Sequence, residues 1–221
     1  MKVSPPVFLL IAALSPAALL LPGCARTDRH EHVSAKPKVD ESGAALKKYG
    51  IYEETAPMPG KLAPGDTALP LRLRKGDRVV FIGNTLFDRG AQFPYFEASL
   101  QLGHPTHNLV IRTLAWSADE PGLMPRPKNF GNIHQHLTVQ KADVIFAAFG
   151  FNESFAGVEK LPEFRQRLAT LIQEMKASAY NGRAAPRIVL VAPTANEDVP
   201  GVPAAGLNNA RIAAYTRAMA A

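Results

Sequence analysis

The chain has 221 residues, of which 47% are apolar, and a formal charge of +6, which describes one domain of ordinary size with room for a leader and a linking segment. Its basic residues are spread along the chain and interrupted by Asp, Glu and Pro, the pattern of a solvated surface and not of a nucleic-acid-binding stripe. The single cysteine, Cys24, excludes an internal disulfide and a four-cysteine zinc site.

The N-terminus opens with Lys2, runs through an apolar stretch over residues 7–21 and reaches Leu21-Pro22-Gly23-Cys24, the order of an export signal. That stretch contains Pro16 and is about fifteen residues long, short of the roughly twenty that cross a bilayer as a helix. Leucine three residues before the cysteine and a small residue directly before it resemble the lipobox of bacterial lipoproteins. The resemblance implies that residues 1–23 are a signal peptide. Cys24 becomes the lipid anchor of an exported protein, held to a membrane on the periplasmic or cell-envelope side. The alternative is a plain secretory signal that happens to contain a cysteine.

Residues 24–74 are rich in charge, Pro, Ala and Gly, with no sustained apolar period beyond a short helical stretch near residues 44–49, which predicts a flexible tether. His30 and His32 lie in it, but two ligands on a flexible segment do not define a metal site, and no metal or cofactor is expected. The domain proper begins at Lys75. After Lys75-Gly76-Asp77 comes Arg78-Val79-Val80-Phe81-Ile82, a β-branched apolar run stopped by Gly83 and therefore a buried strand. Similar runs at 108–114, 143–149 and 187–192 predict three more strands.

Helical patterns separate these runs. Residues 94–102 have Pro94 near the start and Gly103 just past the end. A short helix carries His134 and His136, and over 162–179 Phe164, Leu168, Leu171, Ile172 and Met175 recur at helical spacing before an Asn181-Gly182 stop. Residues 207–221 are helix-like. The alternation predicts an α/β fold, a three-layer α/β/α sandwich with a parallel, flavodoxin-like sheet. No strand follows the last helical stretch, where such a sheet usually buries one more, so the domain at 75–221 reads as lacking its C-terminal part.

In open α/β sheets the chemistry gathers outside the carboxyl ends of the strands. Those ends read Phe81-Ile82-Gly83-Asn84-Thr85-Leu86, Thr113-Leu114-Ala115-Trp116-Ser117-Ala118-Asp119 and Phe149-Gly150-Phe151-Asn152-Glu153-Ser154. Together the three blocks resemble those of the SGNH (GDSL-like) hydrolases. In that family a Gly-Asp-Ser supplies the nucleophile, a glycine after the second strand an oxyanion donor, and the asparagine of Gly-x-Asn-Asp another. By resemblance Thr85 stands at the nucleophile, Asn84 at the aspartate, Ala115 at the glycine and Asn152 at the asparagine, with Glu153 where aspartate is usual. The implied activity is hydrolysis of a small-molecule or carbohydrate ester.

Acyl transfer needs hydrogen-bond donors waiting where the carbonyl oxygen becomes charged, and the amides of Thr85 and Ala115 with the side chain of Asn152 form that expected set. Two of the three have a plainer reading: Asn152 as a turn residue, Thr85 as a helix cap before Leu86-Phe87. The extra methyl of Thr85 also crowds an attacking hydroxyl. The family's base, a histidine three residues after an aspartate near the end of the domain, is missing: no histidine follows His136, and three residues after Asp198 stands Gly201. His104, His107, His134 and His136 read as surface or packing residues. Trp116 and Phe151 are expected to flank the pocket. A weak or inactive ester hydrolase is therefore the first expectation, with a ligand-binding domain for a carbohydrate or acyl group, or a structural envelope lipoprotein, as alternatives.

Overall fold

The computed structural model describes residues 52–202, 206 and 208–221; the export signal and Cys24 lie outside the described residues. Four parallel strands form the central sheet: β2 (Arg78–Gly83), β3 (Val110–Thr113), β4 (Val144–Ala148) and β6 (Arg187–Val191), in the order β3-β2-β4-β6. Parallel strands buried on both faces read as continuous apolar runs. Accordingly β4 is buried throughout and β2 everywhere except Arg78. The register places Gly83 opposite Ala148 and Val191 opposite that same residue, so β2, β4 and β6 end at one level.

Helices cover both faces, as the alternating pattern predicts. On one side α3 (Ile133–Gln140), α5 (Leu161–Lys176) and α6 (Asn209–Ala220) close a core around Ile82, Ile145, Phe149, Phe164, Leu168, Met175 and Tyr215. On the other, α1 (Thr85–Gly90) contributes Phe87 to a core with Val79, Phe81, Ile111 and Phe146, and α2 (Tyr95–Gly103) lays Phe96 against Phe81, Phe87 and Phe146. The amphipathic spacing of α5 accounts for its four buried residues. The strand and helix predictions hold to within a few residues at their ends. None of the described helices is long and apolar enough to cross a membrane.

Two segments differ from expectation. Composition predicts a tether over residues 24–74, yet residues 52–74 of it are anchored to the domain at several points. β1 (Gly60–Lys61) pairs antiparallel with β5 (Ser178–Ala179), Thr67 Oγ1 accepts from Ile188 N at 2.8 Å, and Leu71 and Leu73 lie on the second core. Its anchors are single residues between prolines and glycines, which give no period to read. The same pairing ends α5 at Lys176, three residues before the predicted end, because Ser178 and Ala179 are taken by β1.

The topology fixes where a site forms. From the central strand β2 the chain crosses to β3 on one side and then returns to β4 on the other. Loops leaving β2 and β4 therefore diverge, and the crevice at that switch point is where open α/β sheets hold ligands. Gly83 makes the close crossing possible: its φ is +115°, and a Cβ there would lie 2.0 Å from the Ala148 carbonyl oxygen.

Candidate functional site

The first and third strand-end blocks meet through a buried acid. Asn84, just before α1, donates from Nδ2 to Glu153 Oε2 at 3.2 Å, and the Gly150 amide donates to the same oxygen at 2.7 Å. Glu153 sits in α4 (Phe151–Ser154), and both it and Asn84 are buried. Burial pushes the Glu153 carboxyl up to about 7, against the lowering effect of main-chain hydrogen bonds. Its Oε1 has no hydrogen-bond partner among the described residues.

On this buried clamp rests an exposed corner. Thr85 is the first residue of α1, and its Oγ1 lies 3.3 Å from both Asn152 Oδ1 and the Ser117 main-chain oxygen. Asn152 Nδ2 donates to that same Ser117 oxygen. The hydroxyl of Thr85 and the amide of Asn152 thus converge on one carbonyl. Ser117 in turn donates its own hydroxyl to Asp88 Oδ2, one turn along α1 from Thr85. The plainer reading of Thr85 as a helix cap is not what the structure has, since Asn84 holds the cap position and its side chain makes no capping bond.

The structure therefore joins Thr85 and Asn152 but not Ala115. Ala115 is buried in the second core, and its amide faces Thr113 Oγ1 at 3.4 Å. The residue of that loop which reaches the corner is Ser117, two positions further on. Two unforeseen contacts set the loop's path. The Trp116 amide donates to the Gly83 carbonyl at 3.1 Å, and buried Asp119 takes a bidentate pair of bonds from Arg126, at 2.6 and 2.7 Å. Arg126 also lies 4.2 Å over the Trp116 ring.

Beside Thr85 opens a cavity of about 300 Å³, lined chiefly by Leu86, Arg89, Phe149, Phe151 and Pro193 and almost wholly apolar. Phe151 flanks it as expected. Trp116 instead lines a separate cavity of about 90 Å³ with Phe130 and His136.

No histidine reaches Thr85 among the described residues. His134 Nδ1 meets the Tyr180 hydroxyl at 2.7 Å, His136 stacks on Phe130, and His104 packs edge-on to His107. Burial lowers the pKa of both His134 and His136. Asp198 is exposed in the loop after β6. Among the described residues no group of three or more His, Cys, Asp or Glu is arranged to hold a metal ion.

No protein-family model matches the sequence, and the comparison with curated proteins found no match. Among solved structures, one similar chain is that of a gut microbial diltiazem-metabolizing enzyme, 16% identical, with a TM-score of 0.47 over 70% of this chain. This chain spans 35% of the length of that one.

Proposed function

We propose that this domain is an SGNH-type ester hydrolase of low turnover, acting on a small-molecule or carbohydrate ester and carried outside the cytoplasm on a lipid anchor at Cys24. The observation that carries the reading is the corner where Thr85 Oγ1 and Asn152 Nδ2 converge on one carbonyl oxygen, that of Ser117. Ester hydrolysis requires a hydroxyl to attack and, beside it, a donor to hold the carbonyl oxygen on which negative charge develops, and here Thr85 Oγ1 is the hydroxyl and Asn152 Nδ2 the donor. The adjoining apolar cavity suits the acyl portion, with the ester at its Thr85 edge.

Low turnover follows from what touches Thr85. Its hydroxyl contacts an amide oxygen and a main-chain carbonyl, neither of which takes a proton at neutral pH. A hydroxyl without a base is a poor nucleophile. That same observation favours a second reading, in which the corner binds an acylated sugar without cleaving it.

Hydrolysis of a short-chain aryl ester by the full chain separates these readings. The hydrolase reading expects turnover that falls by at least about a hundredfold in Thr85→Ala, the typical effect of losing a group that acts in the transition state. Turnover indifferent to Thr85→Ala contradicts it. An absence of turnover, combined with thermal stabilisation by acylated sugars, supports the binding reading.

A further inference from the structure

We propose that the attacking oxygen at this corner is Ser117 Oγ, with Asp88 as its base, and that Thr85 and Asn152 serve as the donors that hold the substrate's carbonyl. The proposal rests on the ester-hydrolase reading, moves the attack from Thr85 to Ser117, supplies the base that Thr85 lacks and leaves Thr85 as a donor. Three observations point to it. Ser117 Oγ already donates its hydrogen to Asp88 Oδ2, so here a hydroxyl and a carboxylate are paired at the corner. Ser117 is exposed and its hydroxyl is primary, free of the methyl that crowds Thr85. Its own main-chain oxygen lies against Thr85 Oγ1 and Asn152 Nδ2, which puts the side chain within one residue's span of both donors.

The elements that bring these groups together are independent. Thr85 and Asp88 stand three apart on α1 and share a face. Asn152 comes from α4, and Ser117 from the loop after β3, whose path is set by Trp116 on Gly83 and by Asp119 on Arg126. The second amide hydrogen of Asn152 is not used by Ser117 and remains for a substrate carbonyl.

In the first half-reaction Ser117 Oγ bonds to the ester carbon while its proton passes to Asp88 Oδ2. The tetrahedral oxyanion is held by the second Nδ2 hydrogen of Asn152 and by the Thr85 hydroxyl, which turns its single hydrogen away from the Ser117 main-chain oxygen to reach it. Its collapse breaks the bond to the alkoxy oxygen, which takes the proton from Asp88 and leaves as the alcohol. In the second half, water attacks the acyl carbon and gives a proton to Asp88; collapse then breaks the bond between that carbon and Ser117 Oγ, which takes the proton back from Asp88 as the carboxylic acid leaves. A carboxylate here takes the role that imidazole plays in the serine triad.

The test is covalent labelling of the full chain with an alkyl fluorophosphonate, followed by peptide mapping by mass spectrometry and by aryl-ester kinetics on the variants. The expected adduct is on Ser117, formed with loss of fluoride. It is absent in Ser117→Ala, slowed at least about tenfold in Asp88→Asn and still on Ser117 in Thr85→Ala. Ester turnover should fall by at least about a hundredfold in Ser117→Ala, while the melting temperature of this exposed-loop variant stays at the wild-type value. An adduct on Thr85 overturns the proposal and leaves the hydrolase reading intact. Hydrolysis with no adduct on either residue overturns it too, and an absence of both labelling and hydrolysis overturns it together with the hydrolase reading.

Discussion

Glu153 shows how a single buried side chain organises the corner and makes it sensitive to pH. Its carboxyl receives the Gly150 amide and the Asn84 side chain, tying the loop after β2 to the loop after β4. Burial raises its folded pKa from 4.5 to about 7. A carboxyl raised in this way binds its proton more tightly when folded. Its contribution is therefore complete below the unfolded value near 4.5 and is lost as pH rises towards 7. The size of the effect is on the order of 3 kcal/mol. Thermal denaturation of the wild type should show a melting temperature that falls between pH 4.5 and 7. In Glu153→Gln, which keeps an acceptor for Gly150 without titrating, the dependence should flatten; an unchanged slope would show that other groups set it.

At the scale of elements, β2, β4 and β6 are legible because each carries an apolar run, β3 because Val110 and Ile111 stand within a shorter one that Arg112 interrupts, and α5 because its buried residues recur at helical spacing. The strap over residues 52–74 is not legible. Its hold depends on the Thr67 hydroxyl meeting the main chain of Ile188 and on Gln135 donating to the carbonyls of Glu53 and Ala56, contacts that leave no local pattern. The candidate site divides in the same way. Thr85 and Asn152 were readable because each follows an apolar strand. Ser117, Asp88 and the Asp119–Arg126 pair were not, because a loop's path depends on which side chains pin it. The strap makes a direct prediction. A protein beginning at Lys75 loses β1, the Thr67 cover of β6 and the Leu71 and Leu73 contacts, so it should melt well below the full chain or aggregate. Equal melting temperatures would contradict the packing of this segment.

For the whole molecule, order along the chain and position in space serve different ends. The strand order places the loops after β2 and β4 at a switch point, and the loop after β3 bends across to complete the corner. The lipobox-like segment ending at Cys24 precedes all of this in the sequence and, on the proposed reading, sets the protein's location and not its chemistry. Fractionation of cells expressing Cys24→Ser should then find the protein released from the membrane fraction; unchanged association would exclude the acyl anchor.

The corner's ability to act on an ester carbonyl is tested most directly through Asn152, whose amide lies at the centre of the donor set. The measurement is kcat for a short-chain aryl ester in the wild type and in Asn152→Ala. Loss of one transition-state donor predicts a fall of at least about a hundredfold in kcat with little change in KM. A wild-type kcat retained in Asn152→Ala would contradict the account.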